Sequence, residues 1–259
     1  MKKKKMIKWI IITVAIIITS FLALCGYWVI EDLKQEEILK QEIINYSHKN
    51  LESDDFTVIV KTKGDYAYVE EAIKKYYKEL SDNIKGMNKY LMDEDFMTLL
   101  APSSLVNDRP NYSNSQNKLK TTKENLNKHL EAINNLCDEN TIKNLIDKEK
   151  LEDYDYYYDF YLKLMYTKKD QEALQKLKEE MDTTLKKLNE FLDKAEEILV
   201  LLEKNDSIIQ YENNSIYFNS TEALNEYNKL VGELQTMAKN FTITKNNPNP
   251  IKNSKVSEI

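Results

Sequence analysis

From Trp9 to Ile30 the chain runs 22 residues without a charge, and after Glu31 apolar and charged positions interleave at helical or strand spacing. At about 1.5 Å of rise per residue, roughly 20 apolar residues cross the ~30 Å hydrocarbon core of a bilayer. Residues 9–30 therefore predict a transmembrane signal-anchor helix. Trp9 at one end and Tyr27 and Trp28 at the other suit the headgroup layers, where amphipathic rings settle. Lys2, Lys3, Lys4, Lys5 and Lys8 precede the span, so the positive-inside rule places the 1–8 tail in the cytoplasm and everything after residue 30 outside it. Two other readings fit the segment less well. A cleaved signal peptide has a shorter apolar core and a small-residue exit, whereas Ala23-Leu24-Cys25-Gly26 has leucine where a small residue belongs. The same Leu24 departs from the lipobox pattern that would anchor a lipoprotein at Cys25.

Beyond the span the pattern is mostly helical. Residues 31–51 carry Leu33, Ile38, Leu39, Ile43 and Ile44 as a sparse stripe among charges, which predicts a juxtamembrane stalk helix. Phe56 to Lys63 is β-branched and stopped by Gly64-Asp65, a strand signal. Asp65 reads as the N-cap of a helix to Leu91, with Val69, Ile73, Tyr76, Leu80, Ile84 and Met87 at spacings of three and four. Asp93-Glu94-Asp95 opens a second short helix that Pro102 closes. Residues 102–118 form the one long polar stretch, expected as a mobile connection or a binding loop. Thr121-x-x-Glu124 has capping-box spacing ahead of Leu126, Leu130, Ile133 and Cys137.

Residues 151–166, LEDYDYYYDFYLKLMY, predict a helix with Tyr154, Tyr157, Tyr158 and Tyr161 on one stripe and Asp155 and Asp159 on another. From Asp170 to Asn205, Leu174, Met181, Leu188, Ala195 and Leu202 repeat every seven residues, and two further columns widen the face beyond a two-stranded seam. This is the expected spine of a bundle. Two short runs flank Glu212-Asn213-Asn214 as a β-hairpin, since asparagine tolerates φ > 0. Ser220 and Thr221 then open a last amphipathic helix. Residues 241–259 lack periodicity and read as a disordered tail. The fold class is thus mainly α: a single N-terminal transmembrane helix plus an extracytoplasmic helical bundle over 52–240 with a small β-hairpin.

Composition narrows the function. Five of the 37 basic residues precede the span and all 43 acids follow it, leaving −11 on the remainder. That balance argues against nucleic acid. Only two cysteines occur, Cys25 and Cys137, so packing rather than a disulfide must hold the body together. His48 and His129 are the only histidines, and no HExxH, CxxC, GxSxG, P-loop or GxGxxG occurs. Paired acids such as Asp93 and Asp95 or Asp153 and Asp155 are what chance supplies among so many carboxylates. Cys137 lies on an apolar helix face and reads as a small buried hydrophobe.

These features point to a non-enzymatic binding or scaffolding module of the cell envelope, with no cofactor and no metal. Its expected contacts are the lipid bilayer and an envelope protein or wall component, and homo-oligomerisation is left open. The candidate surface is Tyr154, Tyr157, Tyr158 and Tyr161 with Asp155 and Asp159, where rings could stack on a sugar or hold a cation; the same stripe also reads as a bundle helix that buries its rings and leaves the hydroxyls at the rim. Two further candidate surfaces are the 102–118 stretch and the hairpin tip. The alternative is an ectodomain that binds a small molecule or wall polymer.

Overall fold

The computed structural model describes residues 29–166 and 168–240. These are mainly helical, with one two-stranded antiparallel sheet. Trp9, Tyr27, Trp28 and the 241–259 tail lie outside the described residues. Among the described residues no helix is long and apolar enough to cross a membrane, and of the expected span only Val29 and Ile30 are described.

Helix α1 covers 29–47 of the described residues. Its aliphatic stripe is packed into the body, with Leu39, Ile43 and Tyr46 buried. The chain then turns back along α1 and enters α2, Asp65–Leu91. Residues 56–63 were expected as a strand, but they run extended without a strand partner. Side chains rather than a neighbouring strand take their backbone groups. Glu70 accepts from the Lys61 and Thr62 amides at 2.9 and 2.8 Å, and Gln35 accepts from the Lys63 amide at 3.0 Å. The β-branched run is therefore a strap across two helices. Asp65 is also not the N-cap: Gly64, at φ 59°, opens α2, a conformation glycine adopts without strain. The Asp65 carboxylate instead accepts the Glu152 and Asp153 amides, both at 3.0 Å.

Cross-contacts give the direction of each helix. Asp32 meets Tyr66, Glu42 meets Lys74 and Tyr46 meets Tyr77, so α1 and α2 run parallel. Helix α2 leads to short α3, Glu94–Met97, then α4, Pro102–Asn107, and α5, Ser113–Leu136. Asp93 meets Lys118 and Asn83 meets His129, so α5 returns antiparallel to α2. Short α6, Glu139–Asn144, and α7, Tyr154–Met165, bring the chain to α8, Lys168–Lys204. Asn134 meets Asp182 and Gln116 meets Glu203, which sets α8 antiparallel to α5. The hairpin of β1, Ile209–Glu212, and β2, Ser215–Phe218, precedes α9, Thr221–Asn240. Lys194 meets Glu233, and α9 returns along α8.

Two apolar clusters fill this row of helices. One joins α1, α2 and α7 around Ile73, Tyr77 and Tyr161. The other joins α5, α8 and α9 around Leu126, Leu192 and Leu199. The heptad columns of α8 account for the second: Leu188, Leu192, Ala195, Ile198, Leu199 and Leu202 are buried. The Leu174 and Leu177 side chains lie outside the described ones. Where α2 crosses α5, Gly86 faces the His129 ring so closely that a Cβ would overlap it.

The 102–118 stretch is not a loop. Pro102 is at the first turn of α4, a position where its missing amide costs nothing. Helix α5 starts at Ser113, eight residues before the expected capping box. Asp108 supplies the cap, accepting from the Asn114 and Ser115 amides at 3.1 and 2.7 Å. Burial would raise the Asp108 carboxyl, but these amide bonds outweigh it and hold it below the ordinary range. The hairpin forms as expected, with Glu212 paired to Ser215 and Asn213 and Asn214 at φ 51° and 59°.

Candidate functional site

Helix α7 carries the predicted tyrosine surface, and the structure divides it. Asp153 caps the helix, accepting from the Tyr156 amide at 3.4 Å. Tyr154 and Tyr158 stack at 5.2 Å, with the Lys148 ammonium 4.3 Å from the Tyr158 centroid. Asp155 and Asp159 are exposed. Tyr157 lies edge-on to Tyr66 at 4.8 Å and donates to Asp32 Oδ1 at 3.2 Å. Tyr161 is interior: its ring is fully buried and its hydroxyl donates to the Ile142 carbonyl at 2.6 Å. It is part of the core and leaves the surface to the others. Sequence reasoning passed over Tyr156, which is 46% exposed. It falls off the apolar stripe, and one face of its ring is open while the other stacks on Phe160 and its hydroxyl pairs with that of Tyr66.

A second constellation forms at the opposite end of α2, where Arg109 binds Asp206. The guanidinium Nε donates to Oδ1 at 2.6 Å and Nη2 donates to Oδ2 at 3.0 Å. Tyr112 adds a bond to Oδ1 at 2.9 Å and meets the Tyr211 hydroxyl at 3.0 Å. Arg109 first, then Tyr112, hold the Asp206 carboxyl below its ordinary value against the effect of burial. Tyr112 sits at φ 48°, a left-handed backbone that a bulky residue keeps only when its surroundings fix it. The chain's single arginine thus clamps the entry to α5 onto the hairpin and the end of α8.

Around this clamp the surface exposes large apolar side chains. Met92 and Met97 are 69% and 68% exposed, and Val106, Val200 and Tyr217 on neighbouring elements are exposed as well. Charges of both signs accompany them: Glu94, Asp95, Glu203 and Glu212 are exposed, and so are Lys89 and Lys204. The 102–118 stretch and the hairpin, separate candidates in the sequence, are brought together here. The tyrosine helix is not, because its start lies beside Asp32 near the beginning of α1.

No family model, curated protein or solved structure matches this chain. Its own chemistry must therefore carry the reading. Among the described residues no group of three or more His, Cys, Asp or Glu could hold a metal ion. His129 is wedged against α2, with Nδ1 2.9 Å from Asn83 Oδ1, and burial then Lys128 lower its pKa. His48 is exposed near the end of α1. Burial pushes the Cys137 thiol up to about 11, the reverse of a reactive cysteine. Asp93 caps α3 and pairs with Lys118 at 2.7 Å.

One buried ionic group escaped the sequence. Lys74 is 2% exposed and lies 2.7 Å from Glu42, 2.5 Å from Glu70 and 2.7 Å from the Ile59 carbonyl. It fastens α1, the strap and α2 together. The i,i+4 spacing of Glu70 and Lys74 resembles any solvated helix pair, so the pattern alone gave no sign of burial.

Proposed function

We propose that the chain is a membrane-anchored, extracytoplasmic binding or scaffolding module of the cell envelope, non-enzymatic, that meets its partner at the end of the body farthest from the anchor. The observation that carries this reading is the exposure of Met92, Met97, Val106, Val200 and Tyr217 on the elements of that end, apart from a second exposed apolar group, Val29, Ile30, Leu33 and Tyr156, near the start of α1 and from Ile59 and Val60 on the strap. Exposed apolar side chains mark interaction sites where they form a patch, and methionine adapts to the shape of what it meets. Helix α2, with 27 residues, sets this end roughly 40 Å from the exit of α1 at 1.5 Å per residue. Acids and lysines both rim this end, which favours a partner that brings charges of both signs next to its own apolar side chains.

The test places a photo-crosslinking amino acid at Met97 or Tyr217 of the full chain in its source cells. A discrete adduct from these positions, absent from exposed Lys187 on the flank of α8, is expected. Adducts of equal yield from Lys187, or none from the far end, would overturn the assignment of the surface.

A further inference from the structure

The tyrosine helix starts where the chain leaves the expected span. Asp32 lies two residues beyond Ile30, about 3 Å of helix rise. Its carboxylate accepts the Tyr157 hydroxyl at 3.2 Å and the Tyr66 hydroxyl at 3.4 Å. The first turn of α7 is thereby held at the depth at which α1 leaves the bilayer. Val29, Ile30 and Leu33 are exposed on α1 at this level, and Tyr156 is exposed on α7. The Tyr156 ring is already positioned, stacked on Phe160 at 6.3 Å, edge-on to Tyr157 at 4.9 Å and with its hydroxyl paired to that of Tyr66, so that it offers its open face rather than its polar tip. A pre-positioned ring loses little side-chain freedom on contact.

We infer that the N-terminal end of α7 rests on the lipid headgroup layer, with Tyr156 inserted beside the exit of α1. The inference rests on the anchor proposed above. Tyrosine and tryptophan concentrate at that layer because one part of the ring system is apolar and the other polar. The charges around this face are Lys34, Lys63, Lys148 and Lys150 against Glu31, Asp32, Asp147, Glu149, Glu152, Asp153 and Asp155. That excess of acid gains nothing from anionic lipid, so the contact is made by rings and aliphatic groups. The body is then seated on the membrane through the very surface the sequence marks as a partner site, which leaves the far end for the partner.

The experiment uses full-length chains in vesicles of zwitterionic phosphatidylcholine, with or without lipids brominated high on their acyl chains. Bromine quenches tryptophan only at close range. A Trp9→Phe chain keeps Trp28 as its reporter of the anchor. A Trp9→Phe/Trp28→Phe/Tyr156→Trp chain, checked for native circular dichroism, reports the inference. Both are expected to lose emission in brominated vesicles, while a Trp9→Phe/Trp28→Phe/Tyr217→Trp chain is not. Quenching of Trp28 without loss from the Tyr156→Trp chain would overturn the inference and leave the anchor standing. No quenching of either would overturn the anchor itself. Equal quenching of the Tyr217→Trp chain would show adsorption without orientation and also overturn the inference.

Discussion

The Lys74 ammonium lies 2.7 Å from Glu42 Oε2, tying α2 to the helix that leads away from the expected anchor. With Glu70 on its other side at 2.5 Å, Lys74 closes an ionic bridge that is almost wholly excluded from water. Helix α1 is therefore fastened into the body rather than free beside it. Removing the lysine leaves Glu70 buried without a cation and Glu42 with only half-exposed Lys61 at 2.7 Å. Lys74→Met is expected to cost about 3–5 kcal/mol, measured by urea unfolding of the body. A loss below about 1 kcal/mol, the scale of an exposed pair, would mean that water reaches the site.

The same group sets a pH dependence. Burial raises the Glu42 and Glu70 carboxyls, but the lysine pairs and, for Glu70, the Thr62 bonds outweigh it and leave both below 4.5. Their contribution is present above that value and is lost as the pH falls through the lowered folded values. Burial lowers Lys74, but Glu42 and Glu70 outweigh it and hold it above 10.5. That contribution is present below 10.5 and lost as the pH rises through the folded value. The difference in Tm between wild type and Lys74→Met/Glu42→Gln/Glu70→Gln should be steady between about pH 5 and pH 10 and shrink on either side. A difference that does not change with pH would contradict the assignment.

Gly86 and His129 make a coupled pair, since a Cβ on Gly86 would overlap the imidazole. Gly86→Ala alone should destabilise the body by displacing the ring from its bond to Asn83. In a His129→Ala background the overlap is gone, and the same change should stabilise by up to about 1 kcal/mol, the helix preference of alanine over glycine. A double-mutant cycle reads the change of sign. Additive effects would mean that the ring can swing away at no cost.

Arg109→Lys keeps the charge and loses the planar fork that Asp206 receives at two oxygens. The expected cost is about 1–2 kcal/mol, concentrated in the hairpin and the start of α5. Amide exchange should quicken at Tyr211 and Ser115 well before it does at Leu192 in the core. Uniform acceleration would mean that the clamp serves the whole fold rather than its far end.

Cys137 offers a probe of folding. It is buried with its thiol raised to about 11, so it should resist maleimide in the native protein and react once urea unfolds the body. Rapid native labelling would place it on an open surface.

Much of this fold can be read from the chain, for reasons that are specific. The α8 columns from Leu188 on and the α2 stripe announce themselves because each lies on one buried face. The hairpin does so because only a tight turn needs two adjacent asparagines at positive φ. The failures share a different cause. Residues 56–63 look like a strand until Glu70 and Gln35 claim their amides, and residues 102–118 look like a loop until Asp108 takes the α5 amides six and seven residues further on. In both places a distant polar side chain replaces the local partner that sequence patterns assume. Tyr161 belongs to a stripe that reads either as a partner surface or as a bundle face burying its rings, because a tyrosine stripe looks the same whether a second helix covers it or not. Arg109 stood out only as the single arginine, and nothing near it in the chain named Asp206 as its partner.

The central claim, an anchored module presenting its far end outside the cell membrane, is tested most directly by labelling in intact cells. A full-length Cys25→Ala/Tyr217→Cys chain would be treated with a membrane-impermeant maleimide, with Cys137 silent inside the core. Labelling before permeabilisation, with the protein retained in the membrane fraction, is expected. Labelling only after permeabilisation would put the body on the cytoplasmic side. Release of the Cys25→Ala chain from the membrane would replace the helical anchor with a lipid on Cys25.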